Sequence, residues 1–202
     1  MTGRRLFWPR LVASDGRREE HAPSQQGKAE RFRHVMLPHM DAAFTLARYL
    51  TRDPAAAEDV VQDAFLCAYR SFDGWRGEAA KAWLLRIVRN CFLDSMAATP
   101  GRATSQPLED WADGLPADLI DPASPESLLA DKNEAAMLRA TIEQLPEPFR
   151  ETLILRELEE LSYKEIATIA QIPIGTVMSR LARARQMLAD LLLPASSRKA
   201  QI

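Results

Sequence analysis

One stretch constrains this chain more than any other: Leu161-Ser162-Tyr163-Lys164-Glu165-Ile166-Ala167, followed by Pro173-Ile174-Gly175-Thr176-Val177-Met178-Ser179-Arg180-Leu181-Ala182-Arg183-Ala184-Arg185. Ser162 and Glu165 have the Ser-x-x-Glu spacing of a capping box, which predicts a helix start. Ile166, Ile169 and Ala170 then recur at one-face helical spacing. Gln171 to Gly175 breaks that helix. Pro173 suits the first turn of the next one, and Gly175 is expected where backbones approach closely. At about 100° per residue, Val177, Leu181, Ala184 and Leu188 share one face of the second helix. Thr176, Ser179, Arg180 and Arg183 share a neighbouring face, while Met178 and Arg185 lie on neither. One face is built to pack and the other to touch something anionic. Helix, tight turn and arginine-bearing helix together make a helix-turn-helix DNA reader. The alternative is a solvated amphipathic helix with ordinary surface arginines. It gives no reason for the capped helix and the Pro-x-Gly turn that precede it.

Charge narrows where nucleic acid can bind. The 202 residues carry a net charge of −2, so the chain is no generic polycation. Residues 101–133 hold Arg102 and Lys132 against Glu109, Asp110, Asp113, Asp118, Asp121, Glu126 and Asp131, a local net charge of −5. Any contact with DNA must therefore come from small basic patches. No apolar run approaches the roughly 20 residues of a membrane span. The arginine-bearing N-terminus lacks the apolar run of a signal peptide. A cytoplasmic protein without membrane insertion is expected. Cys67 and Cys91 fall at apolar helical positions and are expected to be buried free thiols, with a redox pair as the alternative. His21, His34 and His39 match no zinc spacing. No nucleophile–base pair, metal set or phosphate loop is present, so neither an enzyme nor a cofactor is expected.

Breaker residues divide the chain. Residues 1–28 lack periodicity and are expected to form a flexible tail. Residues 29–98 are helical in pattern. Residues 99–124 contain Pro100, Gly101, Pro107, Gly114, Pro116 and Pro122 and most of the acidic run, the composition of a linker. Ser124 and Pro125 restart a helix as N-cap and first position. That helix runs to Gln144, and another runs from about Pro148 to Glu160. The helix-turn-helix follows, Pro194 ends the second domain (125–194), and 195–202 is a tail. With no strand alternation, the expected fold is all-α: two small helical domains joined by an acidic flexible linker.

The first domain carries two informative helices. In 58–70, Val60, Val61, Ala64, Cys67 and Ala68 share one side, flanked by Phe65 and Tyr69. Asp59, Gln62, Asp63 and Arg70 lie opposite, with Leu66 in their midst. An apolar side chain inside an acidic face suggests protein docking; a lone exposed leucine is the plain alternative. In 81–94, Leu84, Leu85, Ile87, Val88, Cys91 and Phe92 form the packing side. Arg86, Arg89 and Asn90 point the other way, with Trp83 on the border. Cations beside an amide and an aromatic ring suit single-stranded DNA, although Trp83 is equally read as a half-buried core aromatic. A Gly-bearing loop, Phe72-Asp73-Gly74-Trp75-Arg76-Gly77, precedes this helix.

These motifs resemble the extracytoplasmic-function (ECF) class of bacterial RNA polymerase sigma factors. Ala57-Glu58-Asp59-Val60-Val61-Gln62-Asp63-Ala64-Phe65 resembles the helix that docks on the polymerase clamp. Residues 72–77 with 82–90 resemble the −10 region. Leu145-Pro146-Glu147-Pro148-Phe149-Arg150-Glu151 and the helix-turn-helix resemble the −35 domain. The resemblance covers residues 30–193. It implies that Asp59, Gln62, Asp63 and Leu66 contact core RNA polymerase. It also implies that Arg76, Trp83, Arg86, Arg89 and Asn90 hold −10 promoter DNA, while Thr176, Ser179, Arg180, Arg183 and Lys164 read the −35 duplex. An anti-sigma factor is an expected partner. The linker would thread the polymerase, its acidic side chains mimicking nucleic acid. One departure stands out: where the family carries arginines after the position of Asp94, this chain has Ser95-Met96-Ala97-Ala98, which weakens duplex contact upstream of the −10 element. A stand-alone helix-turn-helix regulator, or a sigma-like interaction protein, are the rival readings.

Overall fold

The structure is a computed structural model that describes residues 25–98, apart from 78, and residues 130–192. All of its regular elements are helical: α1 (Gln25–Met36), α2 (Met40–Thr51), α3 (Pro54–Ser71), α4 (Ala80–Ala98), α5 (Ala130–Gln144), α6 (Glu147–Glu157), α7 (Tyr163–Ala170) and α8 (Ile174–Leu192), with 3-10 turns at Leu37–His39 and Phe72–Gly74. This is the all-α class expected. α1 begins at Gln25, inside the stretch expected to be a tail. Residues 1–24, the acidic connection 99–124, the Ser124–Pro125 start and the chain beyond 192, Pro194 included, lie outside the described residues.

Local chemistry sets the helix ends. Asp53 caps α3, its carboxylate accepting from the Ala55 and Ala56 amides at 2.8 and 3.1 Å, and Pro54 supplies the preformed first turn. α2 stops at Arg52, which takes the left-handed conformation at φ 60°. α6 ends at Glu157, short of the expected Glu160, because Glu160 turns left-handed at φ 56° and the Leu161 amide folds back to the Leu155 carbonyl.

α2, α3 and α4 pack together through Leu46, Leu50, Val60, Ala64, Leu84, Leu85 and Val88 to form the first lobe. α6, α7 and α8 pack through Leu153, Ile166, Ile169, Val177 and Leu181 to form the second. The two do not stand apart. α6 lies against α2 as well as α8, α7 lies against α4, and the buried apolar residues of both lobes form one continuous cluster. A surface helix buries one stripe. α6 instead buries every residue from Phe149 to Leu155, including Arg150, Glu151 and Thr152.

Polar and charged groups link the two lobes at this junction. The buried Arg150 guanidinium donates from Nε to the Tyr49 carbonyl at 2.7 Å and from Nη1 to the carbonyls of Leu145 and Glu143. Arg52 Nη2 donates to the same Leu145 carbonyl at 3.2 Å. Burial, with Arg52 nearby, lowers the Arg150 pKa to about 10, which leaves it charged at neutral pH. Among the described residues, three ion pairs cross the junction: Arg48–Glu143 at 3.1 Å, Lys81–Glu159 at 2.8 Å and Arg89–Glu151 at 2.5 Å. In each, the first lobe supplies the cation and the second the carboxylate.

Candidate nucleic-acid interface

The helix-turn-helix forms as its sequence dictates. Ser162 Oγ accepts from the Glu165 amide at 3.3 Å, and Glu165 accepts from the Ser162 amide at 2.8 Å, closing the capping box. The Ser162 hydroxyl also donates to the Glu165 carboxylate at 2.6 Å, and this bond, followed by the one from the Ser162 amide, holds the Glu165 carboxyl below its ordinary pKa. α7 ends at Gln171, left-handed at φ 57°. The Pro173 carbonyl starts α8 by accepting from the Thr176 and Val177 amides at 2.9 and 3.1 Å. The expected close approach at Gly175 is absent: a side-chain carbon there would meet no heavy atom within 4 Å. α8 packs on Val177, Leu181 and Ala184 as anticipated, and also on Met187. Met187 lies on the angular side assigned to DNA contact, yet it is buried. Arg185 pairs with Glu157 at 2.6 Å.

The −35 candidates divide by exposure. Lys164, Ser179 and Arg183 are exposed and Thr176 is half-buried, so α7 and the start of α8 offer a polar, cationic surface. Arg180 is also half-buried, and its Nε is buried without a hydrogen-bond partner. Burial lowers its pKa, opposed by the charge of nearby Glu151.

The −10 candidates are less available than the helical wheel indicated. Arg76 is exposed on the loop beside Gly77, whose φ of +85° suits glycine. Trp83 packs against the core and lies 6.2 Å from the Trp75 ring, itself stacked on Phe72, so the aromatic-core alternative describes it in this conformation. Arg86 and Asn90 are half-buried. Arg89 corrects the expectation of an outward-pointing cation: its side chain is only 14% exposed and is bonded to Glu151, itself 1% exposed. The wheel identified the face of α4 opposite its own core but held no information that the second lobe covers it.

On α3, Asp59, Gln62, Asp63 and Leu66 are all exposed, Leu66 at 48%. The acidic face with an apolar centre is therefore real. Beside it runs an apolar groove lined by Met40, Phe44, Val61 and Phe65 and edged by Asp41, Glu58 and Gln62. The α2 side of this groove was missed, because exposed Met40 and Phe44 look like core positions in a local window. Cys67 and Cys91 are half-buried free thiols rather than fully buried ones. Burial, then the neighbouring Cys67 thiol, pushes Cys91 up to about 12.

Comparison with known proteins bears on this geometry. The sigma-70 region 2 model matches residues 36–99, which hold α2 to α4, and the sigma-70 region 4 model matches residues 135–188, which hold the helix-turn-helix. The RNA polymerase sigma-H factor of Pseudomonas aeruginosa is 39% identical over 84% of this chain and 90% of its own length. The ECF RNA polymerase sigma factor SigE of Mycolicibacterium smegmatis is 35% identical over 89% of this chain and 68% of its own. The chain belongs to the ECF family of RNA polymerase sigma factors. Such factors initiate transcription and are not enzymes, which sets aside the stand-alone regulator. Among solved structures, the sigma factor RpoE of Bartonella quintana, in complex with the anti-sigma factor NepR, matches 86% of this sigma factor and 99% of its own chain, with a TM-score of 0.62 and 31% identity.

In this sigma factor, sequence reasoning missed Glu151 altogether. It lies at one-turn spacing from Glu147 and beside Arg150, an ordinary surface pattern. Burial raises its carboxyl pKa against the opposing pull of Arg89. No local signal exposes a carboxylate whose partners come from the other lobe. Among the described residues, no group of His, Cys, Asp and Glu is arranged to hold a metal ion, and no helix is long and apolar enough to cross a membrane.

Proposed function

We propose that this sigma factor binds core RNA polymerase, directs it to a promoter through −35 and −10 contacts, and helps melt the start site for a specific set of genes in the cytoplasm. Lys164, Thr176, Ser179, Arg180 and Arg183 take the −35 duplex. Lysine meets phosphate, and arginine grips a guanine edge or phosphate in a fork. Arg76, Trp83, Arg86, Arg89 and Asn90 take the non-template strand of the −10 element. Asp59, Gln62, Asp63 and Leu66 meet the polymerase. The acidic connection 99–124 threads the polymerase between the two promoter-binding domains. The observation that carries the reading is the presence, in one chain, of a capped helix-turn-helix with exposed Ser179 and Arg183 and of an acidic α3 face centred on exposed Leu66. One grips DNA and the other grips protein, as a promoter-specificity subunit requires. An anti-sigma partner is proposed from the likeness to the Bartonella sigma factor, which is held by one.

Run-off transcription with purified core polymerase and a genomic fragment library tests the whole reading. Discrete transcripts that depend on this chain are expected, and their start sites return the promoter. Stable association with core polymerase but no directed initiation would leave only the sigma-like interaction protein.

A further inference from the structure

α1 supplies none of the proposed DNA contacts, yet it is fastened to the loop that supplies one of them. Apart from Met36 it also precedes the region 2 match at residues 36–99. Lys28 falls at the end of the stretch expected to be a tail. Its Nζ instead pairs with Asp73 Oδ2 at 2.5 Å and lies 5.0 Å from the centre of the Tyr69 ring. One turn along α1, the Arg31 guanidinium lies 5.6 Å from the centre of the Phe72 ring. Phe32 meets Phe72 and Tyr69 edge to face, each at 5.2 Å, an attractive arrangement of rings. The ring contacts continue beyond Phe72, which stacks on Trp75 at 5.5 Å, and Trp75 lies 6.2 Å from Trp83. A series of rings thus leads from α1 to Trp83, and the residue after Trp75 is Arg76. Trp83 and Arg76 both belong to the proposed −10 set.

The loop depends on such support. Phe72–Gly74 is a single 3-10 turn, closed by the Trp75 amide on the Phe72 carbonyl at 3.1 Å. Hydrogen bonds in turns of this kind are poorer than those of an α-helix, so packing against the turn sets its shape. α1 grips it on both sides, through the buried Phe72 ring and the exposed Asp73 carboxylate. We propose that α1 is a positioning element for −10 recognition: Phe32 and Lys28 hold the Phe72–Gly77 loop in the conformation that presents Arg76 and Trp83 to the non-template strand. The inference rests on the promoter reading above. In this role Phe32 and Lys28 do not touch DNA. They remove loop conformations that binding would otherwise have to suppress, and such ordering in advance strengthens binding of the strand that fits.

The test uses the full chain bound to core polymerase and a forked promoter fragment built from the start sites that run-off transcription returns. The fragment carries the −35 element as duplex and the −10 element as single non-template strand. The readout is the ratio of affinities for the cognate and a scrambled −10 strand, with binding to the −35 duplex alone as reference. Phe32→Leu removes the ring and keeps an apolar side chain. It is expected to cut the ratio about tenfold, the upper range for one lost aromatic pair. Lys28→Met and Asp73→Asn are each expected to cut it about threefold, within the range of an exposed ion pair. The double variant Lys28→Met/Asp73→Asn should lose no more than either single change, as loss of one shared contact requires. Binding to the −35 duplex should stay constant throughout. Undiminished discrimination in every variant overturns the proposal. An equal loss on the −35 duplex also overturns it, because that marks a general effect on folding. Additive losses overturn the part assigned to the Lys28–Asp73 pair. Should Phe32→Leu lose helical content by circular dichroism, the ion-pair cycle decides. A parent complex that does not distinguish the two −10 strands defeats the promoter reading itself, whereas a discriminating parent with unaffected variants defeats only the role of α1.

Discussion

Ser162 shows how a single side chain supports function from a distance. Its side chain bonds within its own turn, to Glu165, yet it sets where α7 begins and hence how α8 is presented. Ser162→Ala is expected to destabilise the protein by about 1 kcal/mol at neutral pH, measured by chemical denaturation. Glu165 gives that loss a pH signature. The bonds from Ser162 hold its carboxyl below the ordinary value, so their stabilisation is complete above the ordinary carboxylate pKa and disappears as pH falls through the lowered one. The parent and Ser162→Ala should therefore converge in stability on acidification. An unchanged gap in acid would show that Glu165 contributes nothing to the cap.

At the scale of elements, α7 and α8 separate two kinds of contact. Arg183 is exposed on α8, and Lys164 is exposed at the start of α7. Arg183→Ala is expected to cost about 1–3 kcal/mol on the cognate −35 duplex and to relax preference at one base pair. Lys164→Ala should weaken all duplexes alike and reduce the salt dependence of binding by about one counterion. Equilibrium titration over a salt series, with cognate and scrambled duplexes, measures both, and equal effects of the two variants would contradict the division. Legibility follows the same scale. The capping box, the packing side of α4 and the acidic face of α3 were visible because each depends on residues three or four positions apart. The burial of Arg89, the role of Glu151 and the groove at Met40 and Phe44 were not visible. Each depends on a partner helix tens of positions away, and a helical wheel describes one helix with no neighbours. Met187 makes the point within a single helix, since the wheel places it beside Thr176 and yet it is buried.

For the whole molecule, the continuous core joins what the sequence presents as separate domains. Phe149 is fully buried on α6, and the Arg150 beside it bonds to the first lobe. Phe149→Ala is expected to cost about 3–5 kcal/mol. Because the lobes share one cluster, calorimetry should show a single unfolding transition that moves down as a unit. A variant whose lobes melt in two steps, one unmoved, would show that the junction carries little coupling.

The clasp around Arg150 has a consequence for how this junction tolerates genetic change. Its acceptors at Tyr49, Leu145 and Glu143 are carbonyl oxygens of the main chain, which every amino acid carries. Substitutions at those three positions leave the acceptors in place as long as the backbone keeps its course. The hydrogen-bonding half of the junction is thus robust on one side and vulnerable on the other, and a lineage can lose it most directly by altering the codon for Arg150.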